Sequence, residues 1–289
     1  MKVLIVIPAY NRLPFLARSI RSVLGQSFTD YRLVVVDDAS TEDLSSCRKV
    51  VEESGHTWLA LSENQGPAKA RNEGASQMPF DWVMFLDSDD AWMPDKVEKQ
   101  MAWHLANPEV RISQVKERWI RNGSPFNKPA HLKQPEGEIF ADCVERCSIG
   151  PSCVAIRHDL WAESGGFDEW FRVCEDYELW LRIASREMIG LIPGPELMDK
   201  HGGHSDQLST AVPALDRFRL VALAQFLNSR KILTAPQREI VMKALNEKKT
   251  ILGKGAAKRG RDEWATFFEE AQVPLSAEEI AQAKAYCEL

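Results

Sequence analysis

The sequence predicts an α/β protein with a mostly parallel sheet, followed by an all-helical C-terminal region. Three observations predict this. Short β-branched apolar runs alternate with longer stretches of helical periodicity through the first hundred or so residues, the pattern of βαβ units. The three strongest runs end in polar or acidic signals, namely Pro8-Ala9-Tyr10-Asn11, Asp37-Asp38 and Asp87-Ser88-Asp89-Asp90. Beyond Pro213 only helical patterns remain.

The elements follow in order. Residues 3–7 form a β-branched strand that stops at Pro8, and residues 14–24 carry Phe15, Leu16, Ile20, Val23 and Leu24 at helical spacing. Residues 33–36 are a second strand, and residues 41–54 read as a helix with cap-type residues near its start. A third strand is expected over 58–61, a helix over 67–77 and a fourth strand over 82–86. The helix over 94–105 has Pro94 near its first turn, where a missing N–H costs nothing. Residues 110–137 are polar and irregular, with Asn127-Lys128-Pro129 and Gln134-Pro135-Glu136-Gly137 as loop signals. This segment is expected to hold strands and mobile stretches that cover a substrate. Apolar character returns at 149–156, followed by a helix over 159–164, the Gly165-Gly166-Phe167-Asp168-Glu169 loop and the amphipathic run 174–184. A short strand is expected over 189–192. Helices over 215–226, 236–248, 262–271 and 276–287 complete the chain. The expected division is a catalytic domain over 1–212 and a helical region over 213–289.

Composition narrows the function. The chain has 289 residues, 44% of them apolar and 27% charged, ordinary values for a soluble globular protein. A formal net charge of −6 argues against broad, charge-driven binding of nucleic acid. The N-terminus lacks a signal-peptide core and cleavage site. No apolar run approaches the roughly 20 residues that span a bilayer. The expectation is a cytoplasmic protein. Six scattered cysteines do not make a disulfide framework. Cys143 and Cys147 lack the further Cys or His that a metal site needs, and they read as two half-buried thiols on one helix.

In an open parallel sheet, ligands bind beyond the carboxyl ends of the strands. The three acidic or polar strand ends therefore collect along one edge. Asp87, Asp89 and Asp90 repel one another, and a divalent cation would relieve that repulsion. Oxygen ligands suit Mg²⁺ or Mn²⁺.

The stretches IVIPAYNR, Gln26-Ser27-Phe28, VVVDDAST, ENQGPAKARNEGA, FLDSDD, GGFDE and CEDYELWLR occur in this order over residues 1–209. Together they resemble the family 2 glycosyltransferases, inverting enzymes with the GT-A nucleotide-diphospho-sugar transferase fold. The resemblance implies metal-dependent transfer of a hexosyl or N-acetylhexosaminyl group from a nucleoside-diphosphate sugar, UDP-linked, to a hydroxyl acceptor in bacterial surface glycan synthesis. It implies that Pro8, Tyr10 and Asn11 line the nucleoside pocket and that Asp38 contacts the base. Asp87 and Asp89 form the D-x-D element with Ser88 between them. Asp89 is then the main metal ligand, Asp87 lies nearer the ribose or metal waters, and Asp90 has the least defined part. His204 in Gly202-Gly203-His204 completes the metal or diphosphate site, with His201 the competing assignment. Arg71 assists the departing diphosphate. Asp176 matches the position of the general base, with Glu175 as fallback.

Plainer readings stand beside these. Asp38 could cap the following helix, and Glu175-Asp176 suits any helix N-terminus. Arg71-Asn72 reads about equally well as a solvent-facing pair, and Trp92 as a packing residue. The basic stretch Lys248, Lys249, Lys254, Lys258, Arg259 and Arg261 reads first as a solvated helix face; contact with the inner face of a membrane is the minority reading. The helical tail is expected to pack through Leu220, Leu223, Phe226 and Leu227. It then supports either the acceptor side or a homodimer. Two other functions compete: a nucleotide-sugar-binding protein of the same fold without transferase activity, and an aspartyl phosphotransferase. In the latter, D-x-D would normally follow an early strand, and Asp37-Asp38 would be unexplained.

Overall fold

The computed structural model describes residues 1–129, 132–203, 212, 214–229 and 233–288. The chain opens with β1 (Val3–Ala9), α1 (Leu13–Leu24), β2 (Tyr31–Asp37), α2 (Ser45–Glu53), β3 (Thr57–Ala60), α3 (Pro67–Ser76) and β4 (Trp82–Phe85). Strands β1 to β4 pair in parallel, with β1 between β2 and β4 and with β3 at the edge. Antiparallel β9 (Val154–Arg157) lies between β4 and β6 (Ile112–Gln114), and β10 (Gly190–Leu191) closes the other edge of this seven-stranded sheet. A second, four-stranded sheet runs in the order β5 (Ala91–Trp92), β11 (Met198–Gly202), β7 (Glu117–Arg121), β8 (Ser124–Phe126).

The near-continuous apolar strands are explained by burial on both faces. Side chains alternate across a strand. Leu4, Val6, Val34, Val36, Val83 and Phe85 therefore enter one hydrophobic cluster, and Val3, Ile5, Ile7, Leu33, Val35 and Met84 enter another. The second cluster is covered by residues of α1, α2 and α4 (Lys96–Ala106), including Leu16, Ile20, Val51, Val97 and Met101. The first is covered by α3, α5 (Phe140–Glu145), α6 (His158–Ser164), α7 (Glu175–Ala184) and the C-terminal helices.

Those helices are α8 (Asp216–Ser229), α9 (Ala235–Ala257), α10 (Asp262–Glu270) and α11 (Ala277–Cys287). Leu220, Leu223, Phe226 and Leu227 of α8 are buried in the same cluster as Val6 and Phe85. Phe226 lies 5.7 Å from Phe140, ring centre to ring centre, and Phe218 lies 6.1 Å from Trp170. The tail thus continues the core of the sheet. Helices α9 and α11 begin with full capping boxes at Thr234 and Ser276, where side chain and backbone satisfy each other's orphan groups.

Two boundaries differ from the sequence expectation. Helix α2 starts at Ser45, because Asn11 holds residues 40–42 in a turn: its Oδ1 accepts from Thr41 N at 2.8 Å and from Glu42 N at 3.1 Å. Helix α9 runs on to Ala257 and absorbs part of the basic stretch. Several of those basic heads turn inward: Lys248 pairs with Asp216 at 2.9 Å, and Lys249 donates to the Ala271 carbonyl at 2.7 Å. The irregular middle contains β6, β7 and β8, the strands expected there. Among the described residues no helix is long and apolar enough to cross a membrane.

Candidate active site

The parallel register levels the strand ends. Ala9 lies opposite Asp37 and Val6 opposite Phe85, so the chain after β4 runs past the end of β1. A cavity of about 750 Å³ opens at this edge. Its lining includes Pro8, Tyr10, Asp38, Arg71, Asp87, Ser88, Asp89, Asp90, Glu175 and Asp176. Residues separated by more than 160 positions in sequence thus meet because they follow strands of one sheet or helices packed on it. A smaller cavity of about 320 Å³ lies by Gly165, Gly166 and α8, away from these carboxylates.

The acidic loop is built from below. Asp87, Asp89 and Asp90 present carboxylate oxygens within 4.8 Å of one another. Ser19 of α1 directs its hydroxyl at their backbone, 2.8 Å from the Ser88 carbonyl and 2.6 Å from that of Asp90. Ser152 donates to Asp90 Oδ2 at 2.7 Å, and its Oγ accepts the Asp87 N–H at 3.1 Å. Asp90 Oδ1 accepts the backbone N–H of His201 at 3.0 Å. Asp90 is buried, and burial first, then the charges of Asp89 and Asp87, push its pKa well up. Its role here is to tie the loop to β11.

The outer two carboxylates carry cationic partners. Arg12 pairs with Asp89 at 3.1 Å, and Arg18 donates to the Asp89 carbonyl. Arg71 pairs with Asp87 at 2.7 Å and with Glu175 at 2.7 Å. Burial opposes the charge on Arg71, but the two carboxylates outweigh it and its pKa is raised. Burial pushes Glu175 up to about 7, assisted by Asp176 and opposed by Arg71. Arg71 is therefore a buried link between β4 and α7, not a solvent-facing residue. Its neighbour Asn72 also points inward: its amide donates to the Phe167 carbonyl at 2.9 Å, and its Oδ1 accepts from Phe167 N at 3.0 Å. These two residues fasten α3 to GGFDE and to α7.

Asp38 is almost fully buried, and both its oxygens accept backbone N–H groups, from Gln65 at 2.9 Å and Gly66 at 2.7 Å. It thus organises the turn into α3 while lining the cavity. Burial raises its pKa, and those two hydrogen bonds oppose the rise. Asn11 is committed to the 40–42 turn and is not among the lining residues, in contrast to the expectation that it lines the nucleoside pocket. Tyr10 is exposed at the rim. Trp92 is buried with its indole N–H donating to the Ser152 carbonyl at 2.8 Å, a packing role. His204 lies outside the described residues.

Helix α7 begins after Cys174, whose φ of 61° is left-handed. That turn sets Glu175 and Asp176 at the helix start, where negative charge is favoured. Asp176 is half-buried; its Oδ1 accepts from Tyr177 N at 2.7 Å and its Oδ2 from the Cys147 thiol at 3.0 Å. Cys143 and Cys147 do not share the helix as expected: α5 ends at Glu145, Cys143 is buried in the core and Cys147 lines the cavity.

Sequence reading missed several lining residues from the second sheet. Glu117 pairs with Lys128 at 2.6 Å and accepts from the Trp119 indole at 2.7 Å. The charges of Glu117 and Asp90 raise the pKa of Lys200, against its burial. Nothing in the irregular middle marks these positions, because their strands are short and their partners distant. Arg12 stood within IVIPAYNR, and that placement was the available signal.

The model of the family described as Glycosyl transferase family 2 matches residues 4–159, just over half of the chain. An uncharacterized glycosyltransferase of Rickettsia felis is 31% identical over 189 residues, which are 65% of this chain and 31% of that protein. The chain thus spans about a third of that relative's length. The Escherichia coli UDP-Glc:alpha-D-GlcNAc-diphosphoundecaprenol beta-1,3-glucosyltransferase WfgD is 31% identical over 190 residues, 65% of this chain and 72% of that one. Among solved structures, Staphylococcus aureus TarS 1–349 in complex with UDP-GlcNAc aligns with a TM-score of 0.72 at 20% identity, covering 91% of this chain and 77% of that chain. The mannosyltransferase PcManGT from Pyrobaculum calidifontis, in complex with GDP-Man and Mn²⁺, aligns at 0.60 with 18% identity, over 98% and 86%. Both share the fold. By its family match, its motif order and its GT-A architecture, the chain belongs to glycosyl transferase family 2.

Proposed function

We propose that this chain is a metal-dependent, inverting glycosyltransferase that moves a sugar from a UDP-linked donor to a hydroxyl of a surface-glycan or glycoconjugate acceptor. The observation that carries this reading is the meeting of the three-carboxylate cluster and Asp176 in one cavity of about 750 Å³. That volume suits a ligand of nucleotide-sugar size. Family membership and the donor named with TarS support the nucleotide-sugar class. The acceptor named for WfgD supports a lipid-linked glycoconjugate.

Asp89 and Asp87, with His204, are the proposed metal-binding residues. The fit of the two aspartates rests on hard oxygen donors brought within 4.8 Å of one another and already paired with cations, Arg12 and Arg71. A divalent cation, Mn²⁺ or Mg²⁺, would neutralise charge that develops on the departing diphosphate. Pro8, Tyr10, Asp38 and Ser88 form the proposed donor-binding wall, with Asn11 shaping the turn beside it. Arg71 holds Asp87 and Glu175 in place. Asp176 is the proposed base. As the acceptor oxygen bonds to the anomeric carbon and the sugar–phosphate bond breaks, the acceptor proton passes to this carboxylate. Glu175 is occupied by Arg71, which favours Asp176 for that step.

The test is a panel of UDP-glucose, UDP-N-acetylglucosamine and GDP-mannose, read by release of free nucleoside diphosphate with and without Mn²⁺. A UDP-linked donor is expected to turn over only with metal. Asp89→Ala should abolish Mn²⁺-dependent UDP binding in calorimetry while leaving the circular dichroism unchanged. Wild-type UDP affinity in this variant would sink the metal assignment. Tight donor binding without any release would favour the non-catalytic alternative.

A further inference from the structure

We propose that Cys147 is a positioning residue for Asp176: its thiol donates to Asp176 Oδ2 at 3.0 Å and fixes the carboxylate that receives the acceptor's proton. The inference rests on the proposed role of Asp176 as base. It goes beyond that role by assigning the group that aims it.

The local chain geometry brings the thiol there. Helix α5 ends at Glu145, and Arg146 is extended with φ −152° and ψ 167°. The chain therefore leaves the helix axis, and Cys147 reaches the cavity while Cys143 stays in the core. The two segments are also locked independently of the thiol. The Tyr177 hydroxyl, next to Asp176, donates to the Val144 carbonyl at 2.7 Å. The thiol has one hydrogen and two acceptors in reach, Asp176 Oδ2 at 3.0 Å and the Ile149 carbonyl at 3.4 Å. The nearer one is also the charged one, and hydrogen bonds to ionised acceptors are the stronger.

Asp176 is then held from two sides. Tyr177 N engages Oδ1 at 2.7 Å and Cys147 engages Oδ2. Each carboxylate oxygen has two lone pairs, so Oδ2 keeps one free for the incoming proton. Burial above all, and then the charge of Asp176, push the Cys147 thiol well up. The sulfur therefore stays protonated, a donor and not a nucleophile. The other charged or titratable groups near this pair are Lys200 of β11, Cys143 of α5, Cys174 just before α7, Glu175 and Tyr177 of α7, and Arg219 of α8.

Two measurements test the proposal on the full chain. The first needs no turnover. Iodoacetamide alkylation at pH 8 is followed on the Cys147 peptide by mass spectrometry. Asp176→Asn removes the charge that, after burial, holds the thiol protonated, so alkylation should quicken about tenfold. The second is nucleoside diphosphate release from UDP-glucose, UDP-N-acetylglucosamine and GDP-mannose. Cys147→Ala should lower kcat roughly tenfold through misplacement of the base and leave UDP affinity and Tm near wild type. Cys147→Ser, which keeps a donor, should recover most of the rate. Equal alkylation in wild type and Asp176→Asn overturns the contact. An inactive Asp176→Asn beside a fully active Cys147→Ala overturns the positioning role alone. If both variants turn over normally while alkylation responds, Asp176 is not the base, and the proposal falls together with that reading.

Discussion

Lys96 is a lysine with no exposed surface, set at the start of α4 beneath the acidic loop. Its ammonium lies 3.8 Å from the centre of the Trp92 ring and 3.4 Å from the Met84 sulfur, and it forms no ion pair with a carboxylate among the described residues. Burial lowers its pKa from the ordinary 10.5 to about 7. The sign follows from linkage. Between about 7 and 10.5 the unfolded chain binds a proton that the folded chain does not, so stability rises with pH across this window. Below about 7 both states are protonated and the cost of burying the charge is fully present. Lys96→Met should therefore raise stability at pH 7 by on the order of a few kcal/mol and flatten the slope between pH 7 and 10. Denaturant titrations at several pH values measure both. A less stable variant with an unchanged slope would mean that the ring contact outweighs the desolvation. No local signal in MPDKVEK reveals this burial, since a lysine in the first turn of a helix ordinarily reaches solvent.

Helix α3 shows how an element turns a sequence motif into site geometry. Gly74 faces the sheet so closely that an added Cβ would meet Val6 Cγ1 at 2.4 Å and Val36 Cγ2 at 3.0 Å. The glycine lets α3 settle onto β1 and β2. From there Arg71 reaches Asp87 and Glu175, and Asp38 holds Gln65 and Gly66. Gly74→Ala must push the helix outward. We expect a loss of about 1–3 kcal/mol in chemical denaturation, together with weaker UDP binding, because both arginine contacts shift with the helix. Unchanged UDP affinity at reduced stability would confine the effect to packing. The existence of α3 was legible from ENQGPAKARNEGA. The inward aim of Arg71 and Asn72 was not, since helical position alone left solvent and interior about equally open.

The whole molecule has a core that crosses the expected boundary at residue 212. Helix α8 is buried around most of its circumference, with Val221, Ala222, Leu223 and Ala224 all at 1% exposure or less. Such a helix is an interior helix. A chain ending at residue 212 would uncover Phe140, Trp170 and the face of α7 that α8 covers. We expect it to aggregate or to lose its cooperative thermal transition, read by light scattering and calorimetry. A monomeric truncation with the full-length Tm would show the tail to be independent of the rest of the core.

The sequence by itself determined the α/β class, the alternation of strands and helices, the acidic strand ends and the order of the family motifs. All of these rest on local periodicity and short spacings, which folding preserves. Tertiary structure alone decided which groups share a hydrogen bond. Asp90 meets the His201 backbone across 111 positions, Arg71 meets Glu175 across 104, and Cys147 meets Asp176 across 29. Each such pair depends on sheet order, on the depth at which a helix sits and on backbone turns such as the left-handed Cys174. Those are properties of the packed chain, and no residue pattern within a single element encodes them.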